Sequence, residues 1–305
     1  MLAVLAAAVL FGTTGTAQAL GPDGTDPLGV GAMRLVIGGS VLAIIGFALA
    51  HRHHRRPEAA PRPPLTRRAL LLMAVTGICL AAYQPLFFLG TGRSGVAVGT
   101  VIALGSAPVL AGLIEWASTR RIPRGSWVIA TSLAMVGVVL LAFAGGGAGA
   151  GADPIGILGS LGAGASFAVF ANAQRRLMDD GWDPFTVAGA MGLGSAVCAL
   201  AMLPFTSVGW VAEPAGVVMA LWLGLATIAI AYTLFTWGLQ GLTAATAATL
   251  TLAEPLTAAL LGILVLGERL PPLAIAGLIV LGGGLVLLAW GSRARRGPRP
   301  FAVEG

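Results

Sequence analysis

Residues 243 to 288 read TAATAATLTLAEPLTAALLGILVLGERLPPLAIAGLIVLGGGLVLL. Two apolar runs, near 242 to 266 and 271 to 290, are separated by Gly267-Glu268-Arg269-Leu270 and the Pro271-Pro272 breaker. Each run is long enough for the about 20 apolar residues a helix needs to cross a bilayer. Within lipid every backbone polar group must be satisfied internally, so runs of this kind are spanning helices. One carboxylate, Glu254, precedes Pro255 about midway through the first run.

The same pattern extends to the start of the chain. Further runs lie near 2 to 20, 28 to 50, 69 to 90, 94 to 117, 126 to 144, 155 to 174, 184 to 205 and 215 to 238, making ten. Of the 305 residues 57% are hydrophobic and 10% charged, and the mean hydropathy is +0.90. A soluble domain carries about 25% charged residues. The expected fold is all-α, with lipid as the solvent for most of the chain. Residues 51 to 68, HRHHRRPEAAPRPPLTRR, form a charged, Pro-rich connection.

Ala17-Gln18-Ala19 has the small-x-small form of a signal-peptidase site. No positive residue precedes the apolar core, however, and the segment matches a later internal one. It is therefore read as a retained span.

All 18 basic residues are Arg, and they set the expected orientation. With the N-terminus in the cytoplasm, the inner segments hold Arg52, Arg55, Arg56, Arg62, Arg67, Arg68, Arg120, Arg121, Arg124, Arg175, Arg176, Arg293, Arg295, Arg296 and Arg299. The outer loops hold only Arg93 and Arg269. Fifteen against two satisfies the positive-inside rule for a multi-pass protein of the cytoplasmic (inner) membrane with both termini in the cytoplasm.

The chain also repeats itself. Pro108 aligns with Pro255, and Gly137-Val-Val-Leu-Leu-Ala-Phe143 with Gly284-Leu-Val-Leu-Leu-Ala-Trp290. Phe11 through Gln18 pairs with Phe167 through Gln174, and Asp26-Pro27 with Asp183-Pro184. Ala82-Tyr83 meets Ala231-Tyr232, the only two tyrosines. The expected organisation is a first five-helix repeat over 1–144, a Gly/Ala-rich linker over 145–154, a second repeat over 155–291 and a basic tail over 292–305. Five is odd, so the second repeat enters the membrane in the opposite sense. An inverted repeat of this type places a substrate site near the midplane and reads as an alternating-access carrier.

Residues 243 to 288, with Glu254-Pro255, Gly267-Glu268 at the span end and Gly277 in the last span, resemble the closing segment of an EamA domain, the unit of the drug/metabolite transporter superfamily. Arg34 and the Tyr232 segment resemble the pattern as well. The first half departs from it, with Ala107 where Glu254 stands and Arg120-Arg121 in place of Gly267-Glu268. The resemblance implies ten spans and the export or import of a small metabolite such as an amino acid, with export favoured. It implies no particular ligand.

Glu254 costs several kcal/mol at membrane depth unless paired, protonated or facing water. It is therefore a candidate substrate contact and proton-coupling site, or else a protonated packing residue. Pro108 and Pro255 each remove an intrahelical hydrogen bond, which makes them hinge candidates or ordinary helix shapers. Arg34 has Met191 or Gly192 at its repeat position and suits an anionic or zwitterionic substrate; pairing with Glu254 and snorkelling are its alternatives. Tyr83 with Gln84, Tyr232 with Trp237, and Gln18 with Gln174 are candidate pocket residues, with interface anchoring and interhelical bonding as the plainer readings. Trp116, Trp127, Trp210 and Trp290 read as interface anchors. Glu115 is expected to pair with Arg120 or Arg121.

Cys79 and Cys198 lie in separate apolar runs, and the three histidines share one loop, so neither a disulfide framework nor a metal site is indicated. The sequence contains no HExxH, nucleophile elbow or phosphate-binding Gly-Lys loop, so no enzyme activity, cofactor or nucleic-acid partner is expected. The expected partners are a small-molecule substrate, the bilayer and protons as a candidate coupling ion. Oligomeric state is left open. A multidrug or cationic-compound efflux protein and a membrane enzyme acting on lipid-linked substrates are the rival readings.

Overall fold

The computed structural model describes residues 1–55, 61–120, 125–144 and 153–293. Among them, ten helices are long and apolar enough to cross a membrane. They are α1 (Leu2–Ala19), α2 (Pro27–His54), α3 (Arg67–Ser94), α4 (Val96–Thr119), α5 (Gly125–Ala144), α6 (Pro154–Asp179), α7 (Pro184–Met202), α8 (Pro214–Leu239), α9 (Ala244–Leu264) and α10 (Pro272–Arg293). Consecutive spans alternate in direction. One end of the bundle, here the basic end, therefore carries Met1, His54, Arg67, Thr119, Asp179 and Leu239. The opposite end carries Asp26, Ser94, Asp153 and Phe205.

The helix starts reuse one device. Asp26, Asp153 and Asp183 each cap a helix that opens with proline, their carboxylates accepting from amides of the first turn. Proline is tolerated there because the first amides have no intrahelical partner. Thr66 and Thr243 cap α3 and α9 with their hydroxyls. Several helices outrun the apolar windows, as α6 does by reaching Asp179. Hydropathy marks only the part in lipid, whereas a helix runs on until a cap or breaker such as Gly181, at φ +93, stops it.

Packing between helices follows the duplication, with helix n of the first half equivalent to helix n+5 of the second. The two halves interlock: α6 lies against α3 and α4, and α1 correspondingly lies against α8 and α9. The self-equivalent pairs α2/α7 and α5/α10 sit on the pseudo-twofold axis. Both axial pairs are glycine-lined. A Cβ at Gly192 would lie 2.7 Å from the Gly39 carbonyl oxygen, and one at Gly137 would lie 2.5 Å from the Leu281 nitrogen. Lipid supplies no hydrophobic drive between helices, so such close backbone approach is what holds the halves together.

Two irregularities separate the second half from the first. In α8 the residues Leu225–Ile230 form a π-helical turn just before Tyr232. In α9 the helix breaks between Leu250 and Ala253, and the Thr251 carbonyl accepts from Glu254 N three residues on, at 2.9 Å. That contact gives the carbonyl a partner that Pro255 cannot provide. The equivalent α4 continues through Pro108 as one helix.

Candidate functional site

Arg34 enters from α2, Tyr83 and Gln84 from α3, Tyr232 from α8 just past the π-turn, and Glu254 from α9 at its break. Arg34, Tyr83, Tyr232 and Glu254 lie within electrostatic reach of one another, deep in the bundle. Four sequence-nominated residues from four helices thus meet in one place. Tyr232 adjoins the π-turn, and Tyr83 lies two residues before Pro85, through which α3 continues as one helix. π-turns inside helices concentrate at functional sites.

The two opposite charges in this cluster are not joined. The Arg–Asp ion pairs among the described residues are Arg68–Asp180, Arg93–Asp153 and Arg175–Asp179, and His54 meets Asp183; none of these contacts involves Arg34 or Glu254. The Arg34 Nε is shielded from solvent and has no hydrogen-bond partner. Arg34, Tyr83, Gln84 and Glu254 are all part-exposed, whereas Tyr232 is buried. The arrangement is a guanidinium and a carboxyl group that do not pair, in the company of two tyrosines, inside low-dielectric surroundings. A charge left unpaired there is costly unless water or a ligand meets it.

Toward the basic end the cluster rests on packed aromatic rings. Phe11 and Tyr232 meet with centroids 5.0 Å apart, Phe167 and Phe170 at 4.7 Å, and Phe235 closes against Phe167, Phe170 and Tyr232. All five side chains are buried. Below them polar contacts cross from one half to the other. Trp127 Nε1 donates to Thr249 Oγ1 at 3.1 Å, and the Thr131 and Thr249 hydroxyls bond at 2.9 Å. Asn172 donates to the Ala111 carbonyl at 3.2 Å, while within the second half Arg175 donates to the Gln240 carbonyl at 2.6 Å. Arg176 meets the Ser118 hydroxyl. Glu115 accepts from Ala245 N at 3.2 Å, so its carboxylate caps the start of α9; Arg121, one of its expected partners, lies outside the described residues.

The α2/α7 pair is fastened at both ends by its capping aspartates. At the basic end Asp183 meets His54 Nε2 at 3.1 Å, and at the opposite end Asp26 accepts from Ser207 N at 3.2 Å. Burial pushes the Asp183 carboxyl up, but bonds from the Thr186 hydroxyl and amide and from His54 hold it below the usual carboxylate range.

Other nominated residues fall elsewhere. Gln174 is fully buried beside Met191 and Thr236 at the basic end of the core. Gln18 is part-exposed, with no side-chain bond among the described residues. Trp237 is 52% exposed on the lipid side, and Pro108 is buried within α4. Trp210 is buried against Val30 and Met219 and so anchors the α7–α8 connection by packing. The aromatic floor was not read from the sequence beyond the matching of Phe11 with Phe167. The i, i+3 spacings of Phe167 with Phe170 and of Tyr232 with Phe235 were available as its signal.

The chain matches the EamA-like transporter family over residues 1–143 and again over 154–290. It is 39% identical over 295 residues to the uncharacterized transporter YwfM of Bacillus subtilis (strain 168), covering 97% of this chain and 95% of that protein. A solved crystal structure with 20% identity superposes with a TM-score of 0.76, over 97% of this chain and 98% of its own, and shows the fold to be shared. The chain, two copies of one five-helix unit facing opposite ways, therefore belongs to the EamA-like transporter family, and the protein is a membrane transporter.

Proposed function

We propose that the protein is a secondary transporter that exports a small zwitterionic metabolite such as an amino acid across the inner membrane, with both termini in the cytoplasm. The observation that carries the substrate class is the unjoined pair: Arg34 and Glu254 share one cluster yet form no ion pair with each other. A ligand with a carboxylate at one end and an ammonium at the other meets both, and charge-assisted bonds of this kind are the strong ones. Tyr83 and Tyr232 offer hydroxyls to the rest of the ligand, and Gln84 an amide. Glu254, freed of a fixed partner, is the proposed proton-coupling site, exchanging its proton as the cluster faces each side in turn. Pro255 and the α9 break are the proposed hinge, with Pro108 as its unbroken counterpart.

Alternating access follows from the duplication. The buried aromatic floor and the polar contacts beneath it are read as the shut end of the pathway, and the outer end as the one the cluster faces in this conformation. Arg34 in the same cluster opposes the cationic-efflux reading, because it repels the ligand Glu254 would attract.

Cells overproducing the protein, screened against amino acids and their analogues, are expected to gain resistance. Purified protein in liposomes should then exchange the identified compound. Resistance confined to lipophilic cations would overturn the proposal in favour of cationic efflux.

A further inference from the structure

Gln18 and Gln174 are repeat mates in contrasting surroundings. Gln174 of α6 donates through Nε2 to the Met191 sulfur of α7 at 2.8 Å, and its Oε1 accepts from the Thr236 hydroxyl of α8 at 3.3 Å. These bonds tie three helices together at the closed end. The repeat carries Gln174 onto Gln18 of α1, Met191 onto Arg34 of α2, and Thr236 onto Phe87 of α3. That second set is not assembled, since Gln18 has no side-chain bond among the described residues and Arg34 Nε is buried without a partner. One set joined and its mate apart is what two inverted copies display when only one end of a pathway is closed.

We infer that Gln18 takes Arg34 when the outer end closes, its amide oxygen accepting from the guanidinium in the position where Gln174 now meets Met191. The present structure supplies the donor, a shielded Nε whose desolvation is uncompensated. It also supplies a template, because the closed end shows how α6, α7 and α8 come together. A guanidinium has five N–H donors, so Gln18 can hold the Nε edge while a ligand anion holds the other. Closure of the outer end thereby becomes sensitive to how Arg34 is occupied. The inference rests on the orientation and alternating access proposed above, and it assigns Gln18 a closing role rather than a lining one.

The test uses full-length protein with Cys79→Ser, Cys198→Ser and Gln84→Cys, labelled in intact cells with a membrane-impermeant maleimide. Labelling is normalised to that of the denatured protein, and transport is not the readout. Gln18→Glu converts the inferred bond into an ion pair and should reduce labelling at position 84 about tenfold, the factor that 1.4 kcal/mol in favour of the closed state provides. Adding Arg34→Gln should restore it. Labelling that Gln18→Glu leaves unchanged, or a loss that Arg34→Gln does not reverse, would overturn the inference. If the parent reacts only from inside-out vesicles, the proposed orientation is wrong and the same three-way comparison is read from that side. A parent unreactive from both sides sinks the inference, because it requires an open end.

Discussion

The two five-helix halves share a backbone plan and differ where chemistry is concerned. The first half contributes a cation, Arg34, where the second has Met191; the second contributes an anion, Glu254, where the first has Ala107. The first keeps α4 continuous through Pro108, while the second breaks α9 before Pro255 and inserts a π-turn in α8. Neither half carries the charged cluster alone. In the proposed transport cycle, near-symmetry of packing is what would supply two conformations of comparable energy, and asymmetry of side chains gives the shared space a polarity.

Substitutions that impose one half's residue on the other test this comparison directly. Arg34→Met installs the residue that α7 carries and should raise the apparent KM for a zwitterionic substrate by about 10- to 100-fold, the range of a lost charge-assisted bond. Uptake measured against substrate concentration in proteoliposomes checks it, and an unchanged KM removes Arg34 from the site.

Glu254→Gln keeps shape and hydrogen bonding but not titration. The maximal rate should fall about tenfold, and its dependence on pH should flatten. Flux measured at several pH values decides this, and a variant with the parent's pH profile would show that the coupling proton is held elsewhere.

Gly12→Ala gives α1 the residue its mate α6 has at Ala168. A Cβ at Gly12 would lie 2.6 Å from the Glu254 carbonyl oxygen, at the α9 break. Overpacking of this kind costs about 1–3 kcal/mol, so the melting temperature in detergent should drop. Unchanged thermal stability would show that α1 can back away from the break.

The smallest effect is expected at the ends of α2 and α7. The Asp183 carboxyl is held below its ordinary range, so it contributes stability that is complete above about pH 4 and is lost as pH falls through its folded value. Asp183→Asn should remove about 1 kcal/mol at neutral pH and flatten the acid side of the stability profile. A parent whose stability does not decline in acid would show that His54 and Thr186 bind the protonated form equally well.

Much of this was legible in the residues. Apolar run lengths give the ten spans, since the bilayer imposes a length that soluble surroundings do not. The lone tyrosines and paired prolines expose the duplication, and Arg34 and Glu254 stand out because charge at membrane depth is rare. Trp237 and Gln174 were nominated by the same repeat logic, yet one lies 52% exposed and the other is locked against Met191 and Thr236. A repeat position says which residues are equivalent, not which way each faces in a given conformation. The contacts of Glu115 with Ala245 and of His54 with Asp183 were equally out of reach, because each joins residues about 130 positions apart.

The sequence by itself determined that this chain spans a membrane ten times as two opposed copies of one unit, because hydropathy and repetition are properties of residues in order. Only the tertiary structure decided that Arg34 and Glu254 stand near each other without pairing, that Pro255 coincides with a broken helix while Pro108 does not, and that a floor of five buried aromatic rings packs beside them. Those outcomes depend on which helices touch and how closely, and a linear pattern carries no record of that.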